Sequence, residues 1–197
     1  MRNDEPDIKL RILQSAKKLF AMQGFEGTTV RQICEDAGAN IAMVSYHFGG
    51  KEKVFNALFE NFISKERRER VEAVKQDPVA ALKVLIEEVT TFRMAEPELI
   101  RILRQEMMID SPRSEVIRTN MFPTWELLKR LLEDGRGRGL FRFNSGDLAL
   151  MSVLGVLLFG TKHSEFKSLM TEGPHSKEAI IEHATDFILG GLNYRGQ

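Results

Sequence analysis

The chain has 197 residues, 43% of them hydrophobic and 28% charged, the balance of an ordinary globular protein rather than a disordered or fibrous one. Its 28 Lys and Arg are cancelled by 28 Asp and Glu, so any attraction to nucleic acid or to an anionic membrane must come from a local patch. The one cysteine, Cys34, excludes an internal disulfide. The polar opening MRNDEPDIK and the lack of an apolar run long enough to span a bilayer lead us to expect a cytoplasmic protein with no signal peptide and no membrane partner.

The helical spacing of Ile12, Ala16, Leu19 and Phe20 predicts a first helix over residues 7–23, stopped by Gly24, with Phe25 turning into the core. From Thr28 to Lys51 the same spacing appears twice, as Ile33 with Ala37 and as Val44 with Phe48, on either side of Gly38. Two short helices around a glycine turn are the outline of a helix-turn-helix. Thr29 and Gln32 have the spacing of a capping box, Gly38 suits a left-handed helix end, and Asn40 can cap the second helix. Ser45, Tyr46 and His47 lie between the buried positions Val44 and Phe48. Polar and amphipathic groups there are expected to face a partner. Cys34, on the first motif helix, is expected to be a small buried apolar residue.

These residues resemble the tetracycline-repressor family of bacterial regulators. The likeness runs from Arg11 to Val54 and rests on Ile12-Leu13, Ala16, Leu19-Phe20, Gly24-Phe25, Thr28-Thr29-Val30-Arg31, Ile33, Ala37-Gly38, Val44, Tyr46-His47-Phe48 and Lys51-Glu52. Cys34 stands where the family usually has Ala, and Asn40 where Ser is usual. The resemblance implies that Arg31, Asn40, Ile41, Ala42 and Ser45 face the major groove of an operator, while Thr29, Tyr46, His47 and Lys51 hold its backbone. In those roles Ile41 and Ala42 suit thymine methyl groups and Arg31 suits guanine.

Beyond the motif, Val54, Leu58, Phe59, Phe62 and Ile63, followed by the charged tract KERRER, predict one long connector helix over residues 51–76. Asp77-Pro78, Glu96-Pro97 and Ser111-Pro112 each place a polar residue before a proline suited to the first helical position. They predict helices over residues 78–95, 97–109 and 112–134. The glycines of GRGRGLF then form a stop and a loop, in which Arg136 and Arg138 neutralise a helix C-terminus. Asn144 or Ser145 caps a helix over residues 146–170, and a last helix follows over residues 176–193. No stretch reads as a strand. The fold class expected is all-α in two domains, a helix-turn-helix domain over residues 1–50 and an effector-binding and dimerisation domain over residues 51–197.

Phe59, Phe62, Phe92, Leu103, Met107, Met121, Phe122 and Trp125 supply the flexible, polarizable lining that an apolar ligand needs, though core is the default for any one of them. The resemblance favours an effector pocket here, with Arg93, Arg101, Arg104, Glu106 and Asp110 as possible polar anchors. In the family the last two helices form the bundle of a homodimer, which makes Leu154, Leu157, Leu158, Phe187, Ile188 and Leu192 the expected interface. His163, His175 and His183 with Glu165 and Glu182 show no metal-ligand spacing, and no phosphate loop or nucleophile elbow occurs. No metal, cofactor or catalytic site is therefore expected. The expectation is a repressor that binds a palindromic DNA operator and answers a small apolar or amphipathic effector. The alternative is a helical interaction protein or enzyme that keeps the motif for structure alone.

Overall fold

The computed structural model describes residues 5–63, 65–109, 111–159, 168, 169 and 171–196. Among them the backbone forms ten helices and no strand: α1 Glu5–Gln23, α2 Val30–Ala37, α3 Ile41–Phe48, α4 Lys51–Phe62, α5 Lys65–Ala73, α6 Pro78–Ala95, α7 Pro97–Ile109, α8 Ser114–Gly137, α9 Gly146–Phe159 and α10 Lys177–Gly191. None of these helices is long and apolar enough to cross a membrane. The helices sort into two compact units, one of Met1–Ser64 with Glu96–Phe122 and one of Lys65–Ala95 with Pro123–Gln197.

In the first unit α1 packs on α2, α4 and α7. Ile12, Phe20, Ile33, Val44, Val54, Phe55, Leu58 and Phe59 are shut off from solvent. The rings of Phe20, Phe25, Phe55 and Phe59 lie with centroids 5.1 to 5.8 Å apart in tilted and edge-on pairs, the geometry that aromatic quadrupoles prefer. The second unit has its own core of Leu82, Leu85 and Ile86 from α6, Leu128 and Leu132 from α8, Leu157 from α9 and Ile188 from α10. Arg93 is buried in it, and its Nη1 donates to the Leu157 carbonyl of α9 at 2.6 Å.

Local chemistry sets the helix starts where the sequence places them. Asp77 accepts from the amides of Val79 and Ala80 ahead of α6, Ser145 accepts from Leu148 at α9, and Ser176 accepts from Ala179 at α10. The structure departs from expectation in three places. The connector is two helices rather than one: α4 ends at Phe62, Ile63 is extended at φ −96° and ψ 100°, and α5 begins at Lys65. The apolar stripe of α4 belongs to the first unit's core, whereas α5 packs on α6 in the second, and the helical ladder breaks where the packing partner changes. Second, α8 starts at Ser114 rather than at Pro112, because the Ser111 hydroxyl donates to Glu106 instead of capping.

Third, α8 runs through Gly135 to Gly137, past its expected stop. A Cβ on Gly135 would sit 2.2 Å from the Phe141 ring, whose backbone N–H donates to the Gly135 carbonyl at 3.2 Å. The glycine is there so that Phe141, 1% exposed, can fold back against the helix. Residues 160–167 and 170, including Gly160 and the end of the expected 146–170 helix, lie outside the described residues, as does Asp110.

Candidate nucleic-acid interface

The two motif helices are set by their ends. The Thr29 hydroxyl accepts from the Gln32 amide and the Gln32 side chain accepts from the Thr29 amide at 2.8 Å, a complete capping box. Gly38 closes α2 at φ 62°, and its amide reaches back to the carbonyls of Cys34 and Glu35. Asn40 then caps α3, its side-chain oxygen accepting from Ala42 at 2.8 Å. Ile33, Ala37 and Val44 fix the inner face, and Cys34 is buried beside them. Burial pushes the Cys34 thiol pKa up, with the charge of Glu35 adding to it.

With Val44 inward, Ile41, Ala42, Ser45 and Tyr46 are exposed together on α3, Ile41 at 51% and Tyr46 at 79%. An isoleucine that open at the first turn of a helix contributes little to the core. His47 and Phe48 are half-buried, and the His47 ring stands edge-on to Tyr46 with centroids 4.9 Å apart. Thr29 and Asn40, also exposed, have their side chains engaged in capping, so they position the surface as well as belonging to it.

Lys51 has a task that the sequence does not show. Its ammonium donates to the carbonyls of Phe25 and Thr28, both at 2.9 Å, and lies 4.1 Å over the Phe25 ring. Two of its three protons thus tie the start of α4 to the turn before α2. Arg31 is open to solvent but donates from Nε to Glu35, one helical turn along, at 2.8 Å. That hydrogen bond first, and the charge attraction second, raise the Arg31 pKa.

Sequence reasoning missed the ion pairs behind this surface. Arg113, just ahead of α8, lies 4.0 Å over the Phe25 ring and bridges Glu106 of α7 and Glu26 of the motif turn, at 3.1 Å each. Both Arg113 and Glu106 are buried. On α1, Lys17 pairs with Glu96 at 2.6 Å and lies over the Phe62 ring, and Asp36 is held by Lys18 and Ser15. The Lys18 hydrogen bond, followed by that of Ser15, depresses the Asp36 pKa.

The residues expected to line an effector pocket are divided. Phe59 is part of the first unit's aromatic core, Leu103 and Met121 are buried in that unit, and Phe62 lies under Lys17. Met107 at 58% and Phe122 at 45% are exposed. In the second unit Phe92 is covered by the Arg67 guanidinium, and Trp125 packs half-buried against the core. A cleft of about 840 Å³ lies elsewhere in that unit, between the GRGRGLF loop and the end of α10, lined by Arg136, Arg142 and Arg195 where two helices end.

The expected dimer residues divide as well. Leu157, Ile188 and Leu192 belong to the unit's own core and are corrected on that ground, Leu154 and Leu158 are half-buried, and Phe187 is 62% exposed. Leu148 and Met151, at 70% and 64%, join Phe187 as open apolar side chains on this helix pair. Of the histidines, His175 meets Glu172 at 3.3 Å and His183 stands beside Phe187, while His163 and Glu165 lie outside the described residues. No group of three potential metal ligands occurs among the described residues.

Residues 12–58 match the family described as bacterial regulatory proteins, tetR family, and residues 78–189 match the tetracyclin repressor-like C-terminal domain. The chain is 31% identical over 138 residues to the HTH-type transcriptional repressor NicS of Pseudomonas putida, covering 66% of this chain and 64% of that protein. It is 27% identical over 132 residues to the probable HTH-type transcriptional regulator YttP of Bacillus subtilis, covering 64% of each. The match therefore spans just under two thirds of the length of these two relatives. Among solved structures, the hemolysin II transcriptional regulator HlyIIR superposes with a TM-score of 0.78 at 27% identity, over 97% of this chain and 99% of that one. Each of these proteins is described as a transcriptional regulator and none as an enzyme.

Proposed function

Because the chain belongs to the tetR family of bacterial regulatory proteins, we propose that it is a DNA-binding repressor that holds a palindromic operator as a homodimer and leaves it when a small apolar or amphipathic effector binds. The observation that carries the DNA role is the exposed set Ile41, Ala42, Ser45 and Tyr46 on a capped helix whose other side, at Val44, is buried. A helix presented in this way enters a major groove with its first turn against base edges. Ile41 and Ala42 would meet thymine methyl groups and Arg31 a guanine, while Tyr46, His47 and the remaining proton of Lys51 would meet phosphates.

The two-fold symmetry of such an operator asks for two motifs. The exposed apolar side chains Leu148, Met151 and Phe187, with the half-buried Leu154 beside them, support the pairing of α9 and α10 with those of a second copy. The effector would act by favouring a conformer whose two recognition helices no longer match the half-site spacing, which takes a few kcal/mol of differential affinity.

A mobility-shift assay with the DNA upstream of the protein's own gene tests this reading. A retarded complex with a two-fold footprint is expected, lost with Tyr46→Ala on all sequences alike and relaxed at one position per half-site with Arg31→Ala. Failure to retard that DNA or any duplex from a randomised pool overturns it. For the effector, apolar compounds that raise the melting temperature should also release the DNA.

A further inference from the structure

We infer that Glu35 is a specificity-determining residue of the DNA interface: it positions Arg31 and cancels its long-range charge, so that the motif selects bases at the expense of indiscriminate attraction to phosphate. This inference rests on the DNA-binding role proposed above.

The argument begins with charge. Between Thr28 and Lys51 the only Lys and Arg are Arg31 and Lys51, set against Glu35 and Asp36, so the motif's formal charge is 2 − 2 = 0. Lys51 directs its ammonium at two carbonyls of its own chain, and Asp36 is taken up by Lys18. The pair left on the open face of α2 is Arg31 with Glu35, whose side chains are 79% and 63% exposed and 2.8 Å apart.

A lone arginine beside DNA is drawn to whichever phosphate is near, and that attraction carries no sequence information. With a carboxylate on its Nε the pair has no net charge, so this pull largely vanishes at a distance. The directional part remains. Glu35 occupies the Nε–H and leaves the terminal fork of four N–H groups, the part that matches the O6 and N7 acceptors of guanine. The same hydrogen bond narrows the rotamers that Arg31 samples, so the fork is presented in fewer directions.

Substitution separates the two effects. Glu35→Gln removes the charge and weakens the hold on Nε, while Glu35→Asp keeps the charge on a shorter side chain that no longer reaches Nε from the same backbone. The measurements are affinities for a random-sequence duplex and for the duplex that the wild-type protein selects from a randomised pool, each over a range of salt. Glu35→Gln should bind the random duplex about three- to tenfold more tightly, with a salt slope steeper by roughly one, while the ratio of selected to random affinity falls about tenfold. Glu35→Asp should keep the wild-type salt slope and lose part of the selectivity. Glu115→Gln makes the same chemical change at another exposed pair, with Arg118, and should alter neither quantity.

Selectivity and slope unchanged in Glu35→Gln would overturn the inference, as would tighter binding to both duplexes in equal proportion, which would make Glu35 a bulk charge only. If the wild-type protein selects no sequence from the pool, the DNA-binding reading itself falls, and this inference with it.

Discussion

The helix-turn-helix surface and the α9–α10 surface differ in what they leave uncovered. In the first unit the aromatic cluster closes over itself, and the motif exposes capped helix ends, a tyrosine, a serine and a compensated ion pair around Ile41 and Met43. In the second, α9 and α10 bury Val153, Leu157 and Ile188 yet still expose Leu148, Met151 and Phe187. A surface of the first kind is stable in water and suits a polar, charged partner. A surface of the second kind is covered most favourably by more protein.

The contrast can be broken at its strongest point by Phe55→Ala. Phe55 is fully buried and touches the rings of Phe20, Phe25 and Phe59, so a cavity there should cost about 4 kcal/mol, and urea unfolding should show the loss. Next comes Arg113→Met, which strands the Glu106 carboxylate in the interior and should cost about 3 kcal/mol. Adding Glu106→Leu should recover most of that loss. If the double variant is no more stable than the single one, Arg113 acts through its contact with Phe25 and not through charge.

On the other surface, Met151→Glu combined with Phe187→Glu should leave the fold within about 0.5 kcal/mol, because both side chains are exposed, yet weaken self-association at least about tenfold in sedimentation. Loss of folding instead would place the two residues in the core. The smallest effect is one of pH. The Asp36 pKa is lowered in the folded state, so its contribution is present above the ordinary carboxylate value of 3.8 and is lost as pH falls through the lower folded value. Asp36→Asn should therefore flatten the acid limb of a stability–pH profile by lowering stability slightly near neutrality, with little change at the acid end.

What the sequence made legible follows the range of the interactions. The caps at Thr29, Asn40, Asp77 and Ser176 join residues two or three apart, so their spacing can be read directly. Arg113 with Glu26 and Lys51 with Phe25 are equally definite in the fold, but they depend on where α7 and α4 pack on α1, which no local pattern encodes. The expectation at Leu157, Ile188 and Leu192 differs from the fold for another reason. Helix α9, GDLALMSVLGVLLF, is apolar on nearly every side, so its periodicity could not say that Leu157 faces the core and Met151 faces out. The long connector was misjudged because KERRER suits a helix as well as the stripe before it does. Only the change of packing partner at Ile63 breaks the ladder.

Gly135 and Phe141 extend the reasoning from one molecule to its lineage. The ring occupies the space that any side chain at the glycine would need, so Gly135 is not free to change before Phe141 does. Relatives that carry alanine or a larger residue in place of Gly135 should carry something smaller than phenylalanine in place of Phe141, and the pair should drift together across an alignment. Independent variation at the two positions would mean that the α8–loop corner has another way to close.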